Sequence, residues 1–288
     1  MRSLLFVPAD GGSKLDKAMA SGADAVILDL EDSIAPQRKA QARGAALEFL
    51  RSAQAKTPRP RLLVRINGLD TGMTDADLDA VVAGKPDAIL FPKAEGGTSV
   101  THLGAKLTAR EAIAGLPEGS IKILAQTVES AMGLFTAGTY RNSSARLMGM
   151  TWGPEDLSSE LGAEANREAD GTLTEPYRLA RSFCLFGAAA AKVPAIETIH
   201  VNFRDADVLR RDTELARRDG FSGRLAIHPA QVAVINEVFT PSAEQIAKAK
   251  AVVAAFAAKP GAGTVGIDGT MYDRPHLLRA QALLARVG

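Results

Sequence analysis

The sequence predicts a (β/α)8 TIM barrel with a C-terminal helical extension, and three observations support the barrel. The chain has 288 residues, and eight short apolar runs recur along it at intervals of about 30 residues, the size of a strand–helix–strand unit. Most of these runs are continuously apolar, as in strands of a parallel sheet that are buried on both faces. Amphipathic segments separate them, and eight such alternations favour a barrel over an open doubly wound sheet.

Each predicted strand is a short β-branched or leucine-rich run that ends at Gly, Pro or a polar cluster. Each predicted helix has apolar residues at helical spacing, and the second has Pro36 near its start, where proline is favoured. In chain order, each strand and the helix that follows it are Ser3–Val7 and Ser13–Ala20, Ala25–Leu30 and Pro36–Arg51, Leu62–Ile66 and Asp75–Ala83, Ala88–Phe91 and His102–Ala114, Ile121–Gln126 and Val128–Ala137, Arg146–Thr151 and Glu175–Ala191, Glu197–Val201 and Ala206–Arg218, and Leu225–Ile227 and Ala230–Val238.

The pattern changes after Val238, so we expect a barrel over residues 1–238 and a C-terminal extension over 239–288. A Thr-Pro-Ser break supplies a helix N-cap, and a Gly/Pro-rich hinge follows the next helix. A hinge followed by a polar tip is typical of a lid or of an arm over a neighbouring subunit. The predicted elements here are a helix over Ala243–Ala258, a strand over Thr264–Asp268, a turn over Gly269–Asp273 and a helix over His276–Arg286.

Composition excludes several classes of protein. The formal net charge of +1 argues against a partner that is a nucleic acid or an acidic membrane. The single cysteine, Cys184, has no partner for an internal disulfide, so we expect a reducing, cytoplasmic compartment. The apolar run over Leu4–Val7 is too short for a signal peptide, and no window reaches the roughly 18 apolar residues of a membrane span.

Polar residues that follow the strands of such a barrel form its functional face. Here they are mostly acidic, and the four histidines are too scattered for a zinc site. Carboxylates without clustered Cys or His favour a hard cation, most plausibly Mg2+, and Glu129 and Asp156 follow adjacent strands. Arg65 supplies a planar fork for a carboxylate or an enolate. A cation and an arginine around a small oxyacid indicate aldol- or Claisen-type carbon–carbon cleavage.

Seven motifs resemble those of one family, in the same order along the chain. The chain is similar to the citrate lyase beta-subunit-like family of the HpcH/HpaI aldolase superfamily, which includes malyl-CoA and citramalyl-CoA lyases. A Met-Tyr-Asp-Arg-Pro segment at 271–275 resembles the family's C-terminal motif, so the resemblance covers nearly the whole chain. The seven motifs are Arg2–Pro8, Asp29–Asp32, Val64–Asn67, Pro92-Lys93, Val128–Ser130, Gly153–Leu157 and Ile227–Pro229.

The resemblance implies a homotrimer, or a multiple of one, that uses Mg2+ to cleave or form a 3-hydroxyacyl-CoA thioester such as malyl-, citramalyl- or citryl-CoA, with a 2-oxo acid as the other product. It also implies a role for each matching residue. Glu129 and Asp156 would bind the metal and, with Gly153, Pro154 and Glu155, the substrate. Arg65 would bind substrate oxygens, Asp273 would be the acid/base, often in a neighbour's site, and Pro229 would contact the coenzyme. Beside these, we expect Glu31 and Asp32 to contact the metal through bound water, and Lys93 to have a polar role near the substrate.

Two positions depart from the family pattern, and several alternatives stay open. Ala9 stands where the family commonly has Gly, and Arg224 where it often has Lys; these replacements bear on coenzyme contacts and not on the metal ligands. Lys93 has a rival role as a Schiff-base lysine, and Asp273 one as the end of a turn. The alternative functions are a malyl-CoA-type thioesterase, a citrate lyase beta subunit that acts on an acyl-carrier thioester, and a metal-dependent aldolase for free hydroxy-oxo acids.

Overall fold

The structure, a computed structural model, describes residues 1–286. The chain folds into two compact units, the first over Met1–Phe239 and the second from Thr240 onward. None of the described helices combines the length and the apolar character that crossing a membrane requires.

The first unit is built on eight parallel strands that lie in the order β6-β5-β4-β3-β2-β1-β8-β7. The two edge strands meet through a parallel bridge between Met150 and Ala195, so the sheet is nearly closed into a ring. The predicted eight-stranded barrel is therefore confirmed. The strands are β1 Ser3–Pro8, β2 Ala25–Asp29, β3 Arg61–Arg65, β4 Ala88–Ala94, β5 Lys122–Thr127, β6 Leu147–Trp152, β7 Ile196–Glu197 and β8 Gly223–Ala226.

Nine α-helices of the described residues surround the sheet, with short 3-10 turns at several of their ends. They bury the outward-facing strand residues in the larger hydrophobic core, while the inward-facing residues fill the barrel. The helices are α1 Ser13–Met19, α2 Lys39–Gln54, α3 Thr74–Val81, α4 Gly97–Ile113, α5 Ala131–Phe135, α6 Pro154–Leu161, α7 Glu175–Ala191, α8 Ala206–Asp219 and α9 Pro229–Phe239.

Apart from shifts at the ends of several elements, the barrel differs from the sequence prediction at α6 and β7. Helix α6 is absent from the prediction, because only Leu157 and Leu161 mark an apolar face in it. Pro154 starts the helix, and Gly162 ends it with a left-handed φ of 64°. Strand β7 was predicted over Glu197–Val201, but it ends at Glu197. The Glu197 carboxylate accepts a hydrogen bond from the next backbone N–H, that of Thr198, which the ladder would otherwise use.

The second unit contains α10 Ala243–Ala257, the antiparallel pair β9 Thr264–Ile267 and β10 Thr270–Asp273, and α11 Arg274–Leu284. The predicted turn over Gly269–Asp273 is wrong: the hairpin turns at Asp268-Gly269, both with left-handed φ, and residues 270–273 form β10. Helix α11 begins at Arg274 rather than at His276, since Asp273 caps it in a reciprocal capping box.

Candidate active site

The carboxyl ends of the strands surround a cavity of about 390 Å³ in the first unit. Its lining combines polar side chains with apolar residues, among them Phe6 and Val7 of β1 and Leu225 of β8. Because the ends of parallel strands meet at one rim of a barrel, residues far apart in sequence converge there. The predicted site residues that line this cavity are Asp32, Arg65, Glu129, Gly153, Pro154, Glu155 and Asp156.

Arg65, the last residue of β3, is held by Asp29, the last residue of β2. Its Nε and Nη2 each donate to one carboxylate oxygen of Asp29 at 2.7 Å, and its Nη1 lies 3.0 Å from Glu31 Oε2. The backbone N–H groups of Glu31 and Ser33 also donate to Asp29. Burial opposes ionisation of Asp29, but the bonds and charge of Arg65 lower its pKa overall. Because Asp29 and Glu31 hold the Arg65 guanidinium in place, its remaining N–H groups have one fixed orientation.

Glu129 follows β5 on a strained turn and is buried, with 3% of its surface exposed. Val128 before it has a φ of 55°, which is rare for a β-branched residue, and Ser130 after it caps α5. The carboxylate accepts a bond of 2.6 Å from the Lys93 backbone N–H on one oxygen, and one from the Gln126 amide on the other. The turn therefore directs the Glu129 side chain toward the cavity rather than along the β-ladder of β5.

The charge of Glu129 is costly in this position. Burial raises the pKa of its carboxyl well above the ordinary value, and the nearby charges of Asp156 and Glu31 raise it further, while the bond from the Lys93 backbone opposes them. A cation that binds both this carboxylate and a second acidic side chain stabilises the charged form of Glu129.

Gly153 makes room for the Glu129 carboxylate. A Cβ atom at this position would lie 2.5 Å from Glu129 Oε1 and 3.2 Å from Gln126 Nε2. Its φ of −132° is open to any residue, so the glycine is needed for space rather than for backbone freedom.

Asp156 lies in the first turn of α6, and one-third of its side chain is exposed. Lys93 Nζ is 3.3 Å from Asp156 Oδ1 and 2.7 Å from Glu31 Oε1. Asp156, Glu129 and Lys93 line a second cavity, of about 460 Å³. Glu129 and Asp156 line both cavities. The predicted neighbours Glu31 and Lys93 thus contact Arg65 and Asp156 respectively.

The donor set suits a hard divalent cation. Glu129 and Asp156 offer only oxygen ligands, which magnesium prefers. Within residues 1–286, no group of three or more His, Cys, Asp or Glu side chains is arranged to hold a metal ion. A cation at Glu129 and Asp156 would therefore take two carboxylates from the protein and its other ligands from water or substrate, which leaves positions open for chemistry.

Other predicted residues lie apart from this cluster or have structural partners. Pro229 is the first residue of α9, and Ile227 and His228 separate it from the end of β8. The Asp273 carboxylate, in the second unit, accepts from the His276 N–H at 3.3 Å and contacts its ring, which lowers the pKa of Asp273. Arg224 is buried, and its guanidinium binds Asp212 at 2.6 Å.

Sequence reasoning assigned no role to two residues that the site depends on, Asp29 and Gln126. Both end continuously apolar strand runs, and a polar residue buried in such a run needs a partner. That signal indicates that a partner exists, but it does not identify Arg65 or Glu129 as the partner.

Comparison with known proteins agrees with this architecture. Residues 2–229 match the family model of the HpcH/HpaI aldolase/citrate lyase family. The chain is 33% identical over 285 residues to citrate lyase subunit beta of Leuconostoc mesenteroides (98% of this chain, 92% of that protein) and 35% identical over 292 residues to a (3S)-malyl-CoA thioesterase of Cereibacter sphaeroides (99% and 94%).

Among solved structures, it is similar to protein CitE from Mycobacterium tuberculosis in complex with magnesium, acetoacetate and coenzyme A. The TM-score is 0.78 at 33% identity, and the match covers 100% of this chain and 98% of that chain. A family match over most of the chain, together with relatives of this similarity along nearly its full length, leads to one conclusion: the chain belongs to the HpcH/HpaI aldolase/citrate lyase family.

Proposed function

We propose that this protein is a Mg2+-dependent carbon–carbon lyase that cleaves, or in reverse forms, a 3-hydroxyacyl-CoA thioester such as malyl-, citramalyl- or citryl-CoA. The observation that carries the proposal is the pair Glu129 and Asp156, which face the same cavity as the Asp29-bound Arg65. A site for a divalent cation beside a fixed guanidinium recognises a small molecule with several anionic oxygens.

Glu129 and Asp156 would hold the cation, which supplies Lewis-acid polarisation when it is bound. Arg65 binds the carbonyl or carboxylate oxygen of the substrate and stabilises negative charge as the bond breaks. Glu31 and Asp32 keep the guanidinium in place, and the Gly153–Glu155 turn forms one wall of the cavity.

The reaction is a retro-Claisen cleavage. A base removes the proton of the substrate hydroxyl, the bond between the carbinol carbon and the thioester α-carbon breaks, and its electron pair passes to the α-carbon as an enolate. The carbinol carbon becomes the carbonyl of a 2-oxo acid. Asp273 returns a proton to the α-carbon, which gives an acyl-CoA. In the condensation direction Asp273 removes the same proton.

Two kinds of relative support a CoA thioester as the substrate and a divalent cation as the cofactor. The CitE structure holds magnesium, acetoacetate and coenzyme A, and two relatives are named for citrate lyase and for malyl-CoA. We extend these ligands to this chain because it has the oxygen donors and the arginine that they require. Pro229, at the start of α9, is the proposed coenzyme contact in the barrel.

A second candidate is a malyl-CoA thioesterase, favoured by the relatives of that name at 34–35% identity. The same site would then serve hydrolysis of the thioester. A related candidate is a citrate lyase beta subunit whose thioester is carried by another protein.

The test is product analysis by mass spectrometry after incubation with malyl-, methylmalyl-, citramalyl- and citryl-CoA. The lyase releases an acyl-CoA and a 2-oxo acid in equal amounts from at least one of them. Free CoA with an intact hydroxy acid identifies the thioesterase. A parallel incubation supplies the same acyl groups on an acyl-carrier protein; turnover of these alone identifies the subunit of a larger complex.

A further inference from the structure

Lys93 stands on a β-bulge at the end of β4. Phe91 pairs with Ala125 of β5 and Ala94 pairs with Thr127, so two residues of β4, Pro92 and Lys93, stand opposite the single residue between them on β5. Proline has no N–H to lose from the ladder, and bulges are among the few places where a sheet accepts it. Lys93 itself has a left-handed φ of 49°. Strained backbone at a non-glycine residue is kept where the surrounding structure uses it.

The bulge lets one residue contact three acids that follow three different strands. The Lys93 backbone N–H donates to Glu129 Oε2 at 2.6 Å, while its ammonium lies 2.7 Å from Glu31 Oε1 and 3.3 Å from Asp156 Oδ1. In an unbulged strand that N–H would belong to the ladder. Both proposed cation ligands, Glu129 and Asp156, therefore depend on Lys93, one through its main chain and the other through its side chain.

The ammonium is a persistent charge at this place. Lysine is ordinarily protonated at neutral pH, and this ammonium contacts the carboxylates of Glu31 and Asp156. A positive charge in contact with Asp156 repels any divalent cation that uses the same carboxylate. The ammonium also neutralises part of the negative charge of the clustered carboxylates, which a bound cation would otherwise neutralise.

We propose that Lys93 is a positioning residue whose ammonium, in contact with Asp156, weakens divalent cation binding at Glu129 and Asp156. This inference rests on the proposed function only in assigning the cation to those two carboxylates. Substitution of the Lys93 side chain leaves its backbone bond to Glu129 in place, so the variants below test the ammonium alone.

The test is calorimetric titration of the full-length protein with MgCl2, without substrate. Lys93→Met and Lys93→Gln remove the charge, and we expect the Mg2+ Kd to fall at least tenfold in both, because the repulsion is removed. Lys93→Arg keeps the charge and should stay within about threefold of wild type. Lys106→Met is the matched control, because Lys106 also pairs with an aspartate, Asp75, at 2.8 Å, but on the outer surface of α4.

An unchanged or weaker Kd in the folded Lys93→Met or Lys93→Gln protein overturns the inference. If one of the two neutral variants does not fold, as judged by circular dichroism, the other decides. A wild-type protein that binds no Mg2+, with or without pyruvate, rejects the proposed cation site itself. A wild type that binds Mg2+ as tightly as both neutral variants rejects only the role of Lys93.

Discussion

Asp29 shows how one buried carboxylate can fix a reactive guanidinium. It binds Arg65 through both oxygens and accepts hydrogen bonds from two backbone N–H groups of the loop that carries Glu31. Because all its partners are donors, the ion pair is hydrogen-bonded on every side, which is the condition under which a buried ion pair is stable. Asp29 therefore couples the position of Arg65 to that of the Glu31 loop.

Replacement of Asp29 by Asn tests this coupling. Asn keeps the shape but offers one acceptor in place of two and no charge, so Arg65 loses its orientation. We expect kcat/KM to fall about 100-fold, as for other losses of a preorganised charge. Steady-state kinetics measures the effect. Asp24→Asn is the control, because Asp24 pairs with Arg2 just before β2 begins, at the opposite end of the same strand; equal losses in both variants would contradict a specific role for Asp29.

At the residue scale, sequence reasoning selected Arg65, Glu129 and Asp156, and the structure gathers them around one cavity. Strand-end position predicts this convergence, because parallel strands present their ends together. It does not predict the partners. The bond from Lys93 to Glu129 depends on a bulge and a left-handed φ, which no local pattern of Pro92-Lys93 specifies.

The β6–α6 turn is the element that shapes the acidic pair. It carries Asp156 in the first helical turn and leaves space at Gly153 for the Glu129 carboxylate. A turn that both supplies one ligand and makes room for the other fixes their separation.

Gly153→Ala is expected to move the Glu129 carboxylate, because the added Cβ would stand 2.5 Å from its Oε1. Displacement of about 1 Å at a reacting centre costs about 100-fold, so we expect that loss in kcat/KM and weaker Mg2+ binding by calorimetry. Gly138→Ala is the control, since a Cβ there meets no atom within 4 Å. Normal Mg2+ affinity in Gly153→Ala would show that the space is not needed.

Helix α4 is joined to the start of β6 by a buried ion pair. Arg146 Nη2 lies 2.6 Å from Glu111 Oε2, and Glu111 also accepts two backbone N–H groups. Burial opposes its ionisation, but these bonds lower the pKa of Glu111 to about 2. Because its folded pKa lies below its unfolded value of about 4.5, Glu111 stabilises the fold above pH 4.5, and this stabilisation is lost as the pH falls toward 2.

Glu111→Gln should therefore lower the free energy of unfolding by about 3 kcal/mol at pH 7, and by progressively less between pH 4.5 and 2. Urea denaturation across that range measures the difference. Glu237→Gln, which breaks an exposed pair with Arg210, should change little at any pH. A Glu111→Gln deficit that stays constant down to pH 2 would contradict the depressed pKa.

At the element scale, hydrophobic periodicity predicted all eight barrel strands. It failed where tertiary contacts decide the outcome. Strand β7 is shortened at Glu197, and α6 has only two leucines to mark a helical period. Asp268-Gly269 is a recognised hairpin signal, and the first strand of the hairpin is predicted. Its second strand has only four residues, and the sequence there predicts a turn instead.

For the whole molecule, the division into two units separates the proposed acid/base, Asp273, from the other site residues in sequence. We propose a homo-oligomer, a trimer or a multiple of one, in which Asp273 of one subunit serves the barrel of the next. Mixing Asp273→Asn with Arg65→Ala protein should then restore part of the activity, because some sites receive both intact residues. Mixtures are assayed after subunit exchange has been verified with labelled protein; a mixture that exchanges but stays inert contradicts sharing.

The central claim is that a divalent cation at Glu129 and Asp156 drives carbon–carbon cleavage. The direct measurement is acetyl-CoA and glyoxylate release from malyl-CoA, or the corresponding products of the best substrate, in EDTA and after addition of Mg2+. The account predicts no cleavage in EDTA, recovery with Mg2+, and no recovery in Glu129→Gln. Full cleavage in EDTA, or a Glu129→Gln protein that responds to Mg2+ as wild type does, would contradict it.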